Sequence, residues 1–336
     1  MVHFQGESAN DDARLLIQEL KVGGFIYYNW SNGLTSPAQV RSLSSSLQKL
    51  AEKNENPLPL LIAVDQEGGR VVRLKEGFTI LPSNLSVAES GDPSLAEKNA
   101  FTIGKELRAV GINVNLAPVV DINSNLENPV IGCRSFGATP EVAVAFAERA
   151  LKGYHRAGLL TTLKHFPGHG DVKVDSHVGL PQVLKTIKEL ERGELYPFAK
   201  LASKTDIIMT AHLLVPALDP VQCSTLSSKT LSYLRNVIGF DEVIMTDSLV
   251  MAGVLEKCTT VEEAAIQALI AGCDILLLGG KQLIKGKRDL ELAASDIQKI
   301  HGAIIHAVKV GRVPVEKLDN SVKRILLLKA PLKEEL

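Results

Sequence analysis

Ionisable side chains stand directly after short apolar runs at five places along this chain. If those runs are strands of a parallel sheet, their carboxyl ends meet at one edge, where α/β proteins bind and transform small molecules. A single polar residue in such a position is typical of a strand-end turn, but five together indicate a shared site. The five positions are Asp65, Asp121, Lys164 with His165, His212 and Asp247.

A histidine-rich segment begins at the third of these positions. Residues 164–177 read Lys-His-Phe-Pro-Gly-His-Gly-Asp-Val-Lys-Val-Asp-Ser-His and contain three of the eight histidines. A turn would set the Asp175 carboxylate beside the His177 imidazole, which raises the pKa of a histidine and makes it a proton donor near neutral pH. An ordinary surface turn capped by Asp175 is the alternative. The density of histidine favours a functional segment.

One chemistry open to these groups is hydrolysis assisted by a metal ion, since histidine and aspartate at strand ends can hold such an ion. Against it, Pro167 and Gly168 would break the helix that aligns ligands four residues apart. The candidate ligands are His165, His169, His177, His212 and Asp247.

The other chemistry is glycoside hydrolysis with retention, in which a carboxylate attacks the anomeric carbon while a second group protonates the leaving oxygen. Asp247 fits the nucleophile because it ends a buried strand, and His177 with Asp175 fits the proton donor. This mechanism needs no metal or organic cofactor. Basic side chains that could hold sugar hydroxyls and keep nearby carboxylates ionised are Arg73, Arg134 and Lys164.

The elements that must position these groups alternate between strand and helix. Amphipathic segments lie between the apolar runs, and three of them start with a capping residue and a proline, at Ser36, Asp92 and Thr139. Apolar strands between amphipathic helices predict an α/β fold with a parallel sheet, closed as a (β/α)8 TIM-type barrel. The predicted strands are 24–28, 60–64, 114–120, 159–163, 206–210, 242–245 and 274–278, with an eighth at 2–4.

Composition and charge exclude several classes of protein. The 336 residues are 45% hydrophobic and 22% charged, which suits a globular chain. The net charge of −1 gives no reason to expect a nucleic acid or an anionic membrane as partner. No apolar run approaches the roughly 18 residues of a membrane span, and four cysteines without a CxxC pair favour neither a disulfide framework nor a zinc cluster. We expect a monomer that acts on a small molecule.

Four blocks of sequence resemble glycoside hydrolase family 3, and more narrowly its single-domain N-acetyl-β-glucosaminidases that act on cell-wall muropeptides. The most specific block is the histidine-rich one, because long runs at fixed spacing seldom match by chance. The blocks occur in the order found in the family and span most of the chain. They are residues 64–74, 115–121, 164–177 and 244–249.

The resemblance implies a retaining hydrolase with Asp247 as nucleophile, His177 as acid/base and Asp175 tuning that histidine. In many family members a second α/β domain supplies a glutamate acid/base. We expect no such domain here, but a single catalytic domain over 1–336 in which the histidine dyad takes that role. The contacts implied for the non-reducing N-acetylglucosamine are Asp65, Arg73, Arg134, Lys164 and His165.

The biological setting follows from the resemblance alone. We expect an exo-β-N-acetylglucosaminidase that recycles peptidoglycan fragments in the cytoplasm, or one that acts outside the cell if a leader precedes Met1. The alternatives are the metal-dependent hydrolase and a protein that binds peptidoglycan fragments without turning them over. Transfer of the sugar to phosphate instead of water also stays open.

Overall fold

The computed structural model describes residues 1–282 and 290–335. Its main sheet has six parallel strands in the order β1-β2-β5-β6-β7-β8, and two short antiparallel hairpins, β3-β4 and β9-β10, stand apart from it. The α/β prediction is confirmed. The strands are β1 (Gly24–Ile26), β2 (Leu61–Val64), β3 (Gln66–Gly68), β4 (Val71–Val72), β5 (Val114–Asn115), β6 (Leu160–Phe166), β7 (Ile207–Thr210), β8 (Val243–Met245), β9 (Lys281–Gln282) and β10 (Leu290–Glu291).

Helices connect successive strands of the sheet. Those that begin at Pro37 and Pro93 are capped by the side chains of Ser36 and Asp92, whereas the Thr139 side chain makes no capping hydrogen bond. The α-helices are α1 (Asp11–Arg14), α2 (Asn29–Asn32), α3 (Pro37–Ala51), α4 (Asn84–Glu89), α5 (Pro93–Ala109), α6 (Pro140–Arg156), α7 (Ile187–Arg192), α8 (Tyr196–Leu201), α9 (Ser228–Tyr233), α10 (Ala252–Leu255), α11 (Val261–Ala271), α12 (Ala294–Lys309) and α13 (Val315–Lys329).

Two predicted strands are reduced to isolated parallel bridges. Val2 bridges both Phe25 and Leu278, and Ile275 bridges Met245. The predicted strand 274–278 is interrupted because the Leu277 N–H donates to the Thr246 hydroxyl instead of a backbone carbonyl. The sequence therefore predicted full strands at 2–4 and 274–278 where the structure has only bridges beside β1 and β8.

Strand lengths also differ inside the sheet. The strand predicted at 114–120 is interrupted after Asn115, because Pro118 has no N–H to donate to a ladder, and pairing resumes as a bridge of Val119 to Lys164. The strand predicted at 24–28 ends at Ile26, since the Tyr28 N–H turns to the Asn32 side chain. Conversely, β6 runs on to Phe166, whose carbonyl accepts the N–H of Ala211.

Both faces of the sheet are apolar, which explains the continuous hydrophobic runs in the sequence. In β2, Leu61 and Ala63 pack on one face, against Ile26 among others, while Ile62 and Val64 pack on the other face among helix residues. All four β2 residues are buried. Among the described residues, no helix has the length and apolarity needed to span a bilayer.

Candidate active site

A cleft of about 430 Å³ opens at the carboxyl end of the main sheet. Every residue given a catalytic or substrate-binding role from the sequence lines this cleft, although these residues come from β6 itself and from the segments after β2, β4, β5, β6 and β8. The structure thus brings the whole predicted set together. These residues are Asp65, Arg73, Arg134, Lys164, His165, Asp175, His177 and Asp247.

A buried network of charges forms the floor of the cleft. The Lys164 Nζ lies 2.8 Å from Asp65 Oδ1 and 2.7 Å from Glu67 Oε1. Arg134 binds Glu67 through two parallel hydrogen bonds of 2.9 and 2.8 Å, the geometry in which a guanidinium holds a carboxylate most firmly. This network orients Lys164, Arg134 and Asp65 before any ligand arrives.

The charges in the network stabilise one another. Burial disfavours the Glu67 carboxylate, but Arg134 and Lys164 outweigh burial and hold the pKa of Glu67 well below its ordinary range. Burial also disfavours the Lys164 ammonium, and Asp65 and Glu67 outweigh it and raise the pKa of Lys164. The floor therefore stays charged throughout the neutral range.

The hairpin β3-β4 positions Arg73 at the wall of the cleft. The Gln66 side-chain oxygen accepts the backbone N–H groups of Arg73 and Leu74, while the Gln66 amide donates to the Leu74 carbonyl. Arg73 Nη2 then lies 3.6 Å from Asp65 Oδ2. A buried glutamine therefore fixes the chain that presents this guanidinium.

Asp121 organises the loop that follows β6. Its carboxylate lies 2.6 Å from His165 Nδ1 and accepts the backbone N–H groups of His165 and His169. Burial opposes the Asp121 charge, but His165 and His169 outweigh burial and lower the pKa of Asp121. The Nε2 atom of His165 is directed to Arg134, 3.5 Å from Nη2.

Asp175 and His177 form the dyad expected from their spacing. Asp175 Oδ1 lies 2.7 Å from His177 Nδ1 and also accepts the His177 backbone N–H. Burial lowers the pKa of His177, but the hydrogen bond from Asp175 and the charge of Asp247 outweigh it, so the net shift is upward. Since Nδ1 is used by Asp175, Nε2 is the nitrogen left to exchange a proton with a ligand.

Ser176, between the two members of the dyad, ties their loop to the protein. Its hydroxyl lies 2.8 Å from His169 Nε2, and its carbonyl accepts the N–H of Gly253. A side chain at Gly253 would clash with the Ser176 carbonyl oxygen, 2.9 Å from the position a Cβ would take. Burial lowers the pKa of His169 to about 4, so this histidine is neutral.

Asp247 stands at the end of β8 with its carboxylate open to the cleft. The Ser248 backbone N–H donates to Oδ1 at 2.7 Å. Burial opposes the charge of Asp247, but the neighbouring His165, His212 and His177 outweigh it, and the pKa of Asp247 is lowered. The carboxylate is therefore ionised at neutral pH and available as a nucleophile.

The five candidate metal ligands do not form a ligand cluster. His212 uses Nδ1 with the Thr225 hydroxyl and Nε2 with the Ser248 carbonyl, so neither nitrogen is left for an ion. His165 and His169 are held by Asp121 and Ser176 as described above. Within residues 1–282 and 290–335, no three His, Cys, Asp or Glu side chains come together as metal ligands.

Sequence reasoning missed several residues that build the site. Glu67 follows Asp65 by two positions in the same block. It was overlooked because its burial is visible only in the structure. Asp121 was one of the five strand-end positions but received no role, and Ser176 was hidden between its two functional neighbours. Trp30, which also lines the cleft, belongs to none of the four blocks.

Comparison with known proteins identifies the family to which this α/β fold and its cleft belong. The description "Glycosyl hydrolase family 3 N terminal domain" matches residues 1–328. The chain therefore belongs to glycoside hydrolase family 3.

Two curated relatives and one solved structure illustrate the similarity. "Beta-hexosaminidase A" of Pseudoalteromonas piscicida is 38% identical over 94% of this chain, which spans 54% of that protein. "Beta-hexosaminidase" of Pseudomonas aeruginosa is 35% identical over 89% of this chain and 86% of its own length. The glycoside hydrolase family 3 β-N-acetylglucosaminidase from Paenibacillus sp. str. FPU-7 superposes with a TM-score of 0.91 and 43% identity, over 98% of this chain and 60% of that one.

Proposed function

We propose that this protein is a retaining exo-β-N-acetylglucosaminidase that removes non-reducing N-acetylglucosamine through a covalent glycosyl-aspartate. The observation that carries the proposal is one cleft lined by the ionised Asp247 and by His177 with its raised pKa. A nucleophile and a proton donor of this kind are what retaining hydrolysis requires. The names of the relatives support the choice of sugar.

The charged floor suits the reacting sugar. Carboxylates accept hydrogen bonds from sugar hydroxyls, whereas guanidinium and ammonium groups donate to them. Because the network is already assembled, little reorganisation is needed when the sugar binds. The residues proposed to hold it are Asp65, Arg73, Arg134, Lys164 and His165.

In the first step, an Asp247 carboxylate oxygen attacks the anomeric carbon. The bond from that carbon to the glycosidic oxygen breaks, and the oxygen leaves with the electron pair and takes the proton from His177 Nε2. His177 is then neutral, with Nδ1–H still donating to Asp175. Asp175 thereby keeps one tautomer and orientation of the imidazole throughout.

In the second step, water attacks the anomeric carbon of the glycosyl-aspartate. His177 Nε2 takes the proton from this water, the ester bond breaks, and Asp247 leaves as a carboxylate. The cycle returns both residues to their starting protonation. The chemistry uses only groups of this chain and water.

The finer features of the proposal concern substrate and architecture. Muropeptides are the proposed substrates, on the strength of the resemblance in the four blocks, with peptidoglycan recycling in the cytoplasm as the setting.

The bridges of Val2 and Ile275 to their neighbours support closure of the sheet into a (β/α)8 barrel. We assign residues 1–336 to one catalytic domain.

The test compares an aryl N-acetyl-β-glucosaminide with the matching aryl β-glucoside at equal concentration. Faster turnover of the first substrate is expected, and this activity should survive EDTA treatment and dialysis. Preference for the glucoside would overturn the sugar assignment, and loss of activity with EDTA would revive the metal hypothesis. Faster release from a peptidoglycan disaccharide-peptide than from a chito-oligosaccharide would support the muropeptide assignment.

A further inference from the structure

Trp30 is an exposed aromatic side chain at the rim of the cleft. It is 39% exposed, whereas Lys164 and Glu67 on the floor are almost completely buried. It is also the sole tryptophan of the chain. An exposed indole beside a polar sugar cleft costs hydrophobic free energy in the empty protein, and a ligand that covers it would recover that cost.

The indole is held in one orientation. It stacks on the Tyr28 ring with the centroids 4.4 Å apart and the planes inclined by 19°. The Arg73 guanidinium lies 5.6 Å from the Trp30 centroid, and the Lys281 ammonium lies 5.4 Å from it. With Tyr28 buried beneath it and two cations beside its ring, Trp30 is held in place while 39% of its surface stays exposed.

The short segment that carries Trp30 is fixed to the body of the protein. The buried Asn32 side chain accepts the Tyr28 N–H and donates to the carbonyls of Phe4 and Gly6. The Asn29 side chain donates to the Arg73 carbonyl. The segment is therefore clamped at both sides of Trp30.

We propose that Trp30 is the stacking surface for the first sugar of the leaving group, and thereby sets selectivity for saccharide over small leaving groups. The inference rests on the proposed function, in which the buried charged floor holds the single sugar that is removed. The next sugar must then lie at the rim, where Trp30 is exposed. The C–H face of a pyranose suits an indole face, as do other apolar groups.

The experiment uses two substrates that share the reacting sugar. One is N,N′-diacetylchitobiose, whose leaving group is a pyranose, and the other is N-acetyl-β-glucosaminyl fluoride, whose leaving group has no ring. We expect Trp30→Ala to lower kcat/KM for the disaccharide by about tenfold and to leave the fluoride unchanged. Trp30→Phe, which keeps an aromatic face, should retain most of the disaccharide activity.

Equal losses on both substrates in Trp30→Ala would overturn the inference, because Trp30 would then act on the removed sugar or on the fold. Unchanged disaccharide turnover would overturn it as well. If the unmodified protein turned over neither substrate, the proposed function would fail and this inference with it. If every variant turns over the fluoride, the proposed function holds, and only the disaccharide result decides the role of Trp30.

Fluorescence supplies a second readout, because Trp30 is the single tryptophan emitter. In the Asp247→Ala protein, which cannot form the glycosyl-aspartate, N,N′-diacetylchitobiose should change the emission more than N-acetylglucosamine does. An equal response to the two sugars would contradict stacking of the second sugar on Trp30. This readout does not depend on turnover.

Discussion

The amino end of the sheet holds a buried aspartate and the carboxyl end holds a partly buried one, and the two carboxylates have different surroundings. At the amino end, before the 275–278 segment, Asp274 has a fully buried side chain whose two oxygens are saturated. Arg235 donates at 2.6 Å and Arg324 at 3.2 Å. Ser321 and the Ile244 N–H donate at 2.7 and 2.8 Å.

At the carboxyl end, Asp247 is left with accepting capacity that the protein does not use. Within the described part of the chain it accepts one hydrogen bond, from the Ser248 N–H. The cationic partners that neutralise Asp274 are replaced by histidines, which can gain and lose protons near neutral pH. The charge at the amino end is therefore fully paired within the fold, whereas the carboxylate at the carboxyl end keeps accepting capacity for the reaction proposed above.

Replacing Asp247 by alanine should have the largest effect. Without a nucleophile, turnover should fall on the order of 10⁴-fold, while the melting temperature stays near that of the unmodified protein because few internal contacts are lost. Added azide should restore part of the product as a glycosyl azide. Initial rates with an aryl N-acetyl-β-glucosaminide measure this, and undiminished turnover would end the nucleophile assignment.

Replacing Asp274 by alanine should lower the stability of the fold and leave turnover nearly unchanged. Two partly exposed guanidinium groups would lose their buried counter-charge, so the free energy of unfolding should drop by about 2–4 kcal/mol. Turnover per folded molecule should stay close to normal, because no group of the cleft is altered. Denaturant unfolding and active-site titration measure the two quantities, and a folded but inactive Asp274→Ala protein would contradict the division between the two ends.

Asp175→Asn tests whether Asp175 sets the pKa of His177 in the cleft. Asp175 favours the charged imidazole of His177, so its neutralisation should lower the pKa of His177. Since the proposed mechanism starts with a protonated His177, the alkaline limb of the kcat/KM profile should move to lower pH. The acidic limb, which reports the ionised Asp247, should move little. An alkaline limb that stays in place would argue against the dyad as acid/base.

The smallest effects are expected from removing single hydroxyl groups, one from a buried serine at each end of the sheet. Ser176→Ala removes the hydrogen bond to His169, and we expect a loss of roughly three- to tenfold in kcat with little change in melting temperature. Ser321→Ala removes a hydrogen bond to the Asp274 carboxylate and should cost about 1.5–3 kcal/mol of stability at unchanged kcat. The opposite pattern in either variant would show that the two ends are not specialised as proposed.

Much of the site could be predicted because its members stand at positions with a local meaning. Asp65, Lys164 and Asp247 each follow an apolar run, and the carboxyl ends of parallel strands share one edge. The dyad of Asp175 and His177 depends on a turn of three residues, which neighbouring residues largely determine. These predictions needed only strand direction and spacing.

The buried partners could not be predicted in the same way. Glu67 acquires its role by meeting Lys164 and Arg134, which lie far from it in the chain. Nothing in the residues around Glu67 says that both cations will be buried against it. Pairings of this kind depend on which strands become neighbours.

The sequence by itself determined the alternation of strands and helices, the apolar faces of both, and the polar residues at strand ends, since each follows from local propensity and the two hydrophobic periods. Only the tertiary structure decided which carboxylates are saturated and which are left open. That choice depends on the desolvation and counter-charges that distant segments bring to each carboxylate. Asp247 and Asp274 are the same residue type, and their surroundings alone set them apart.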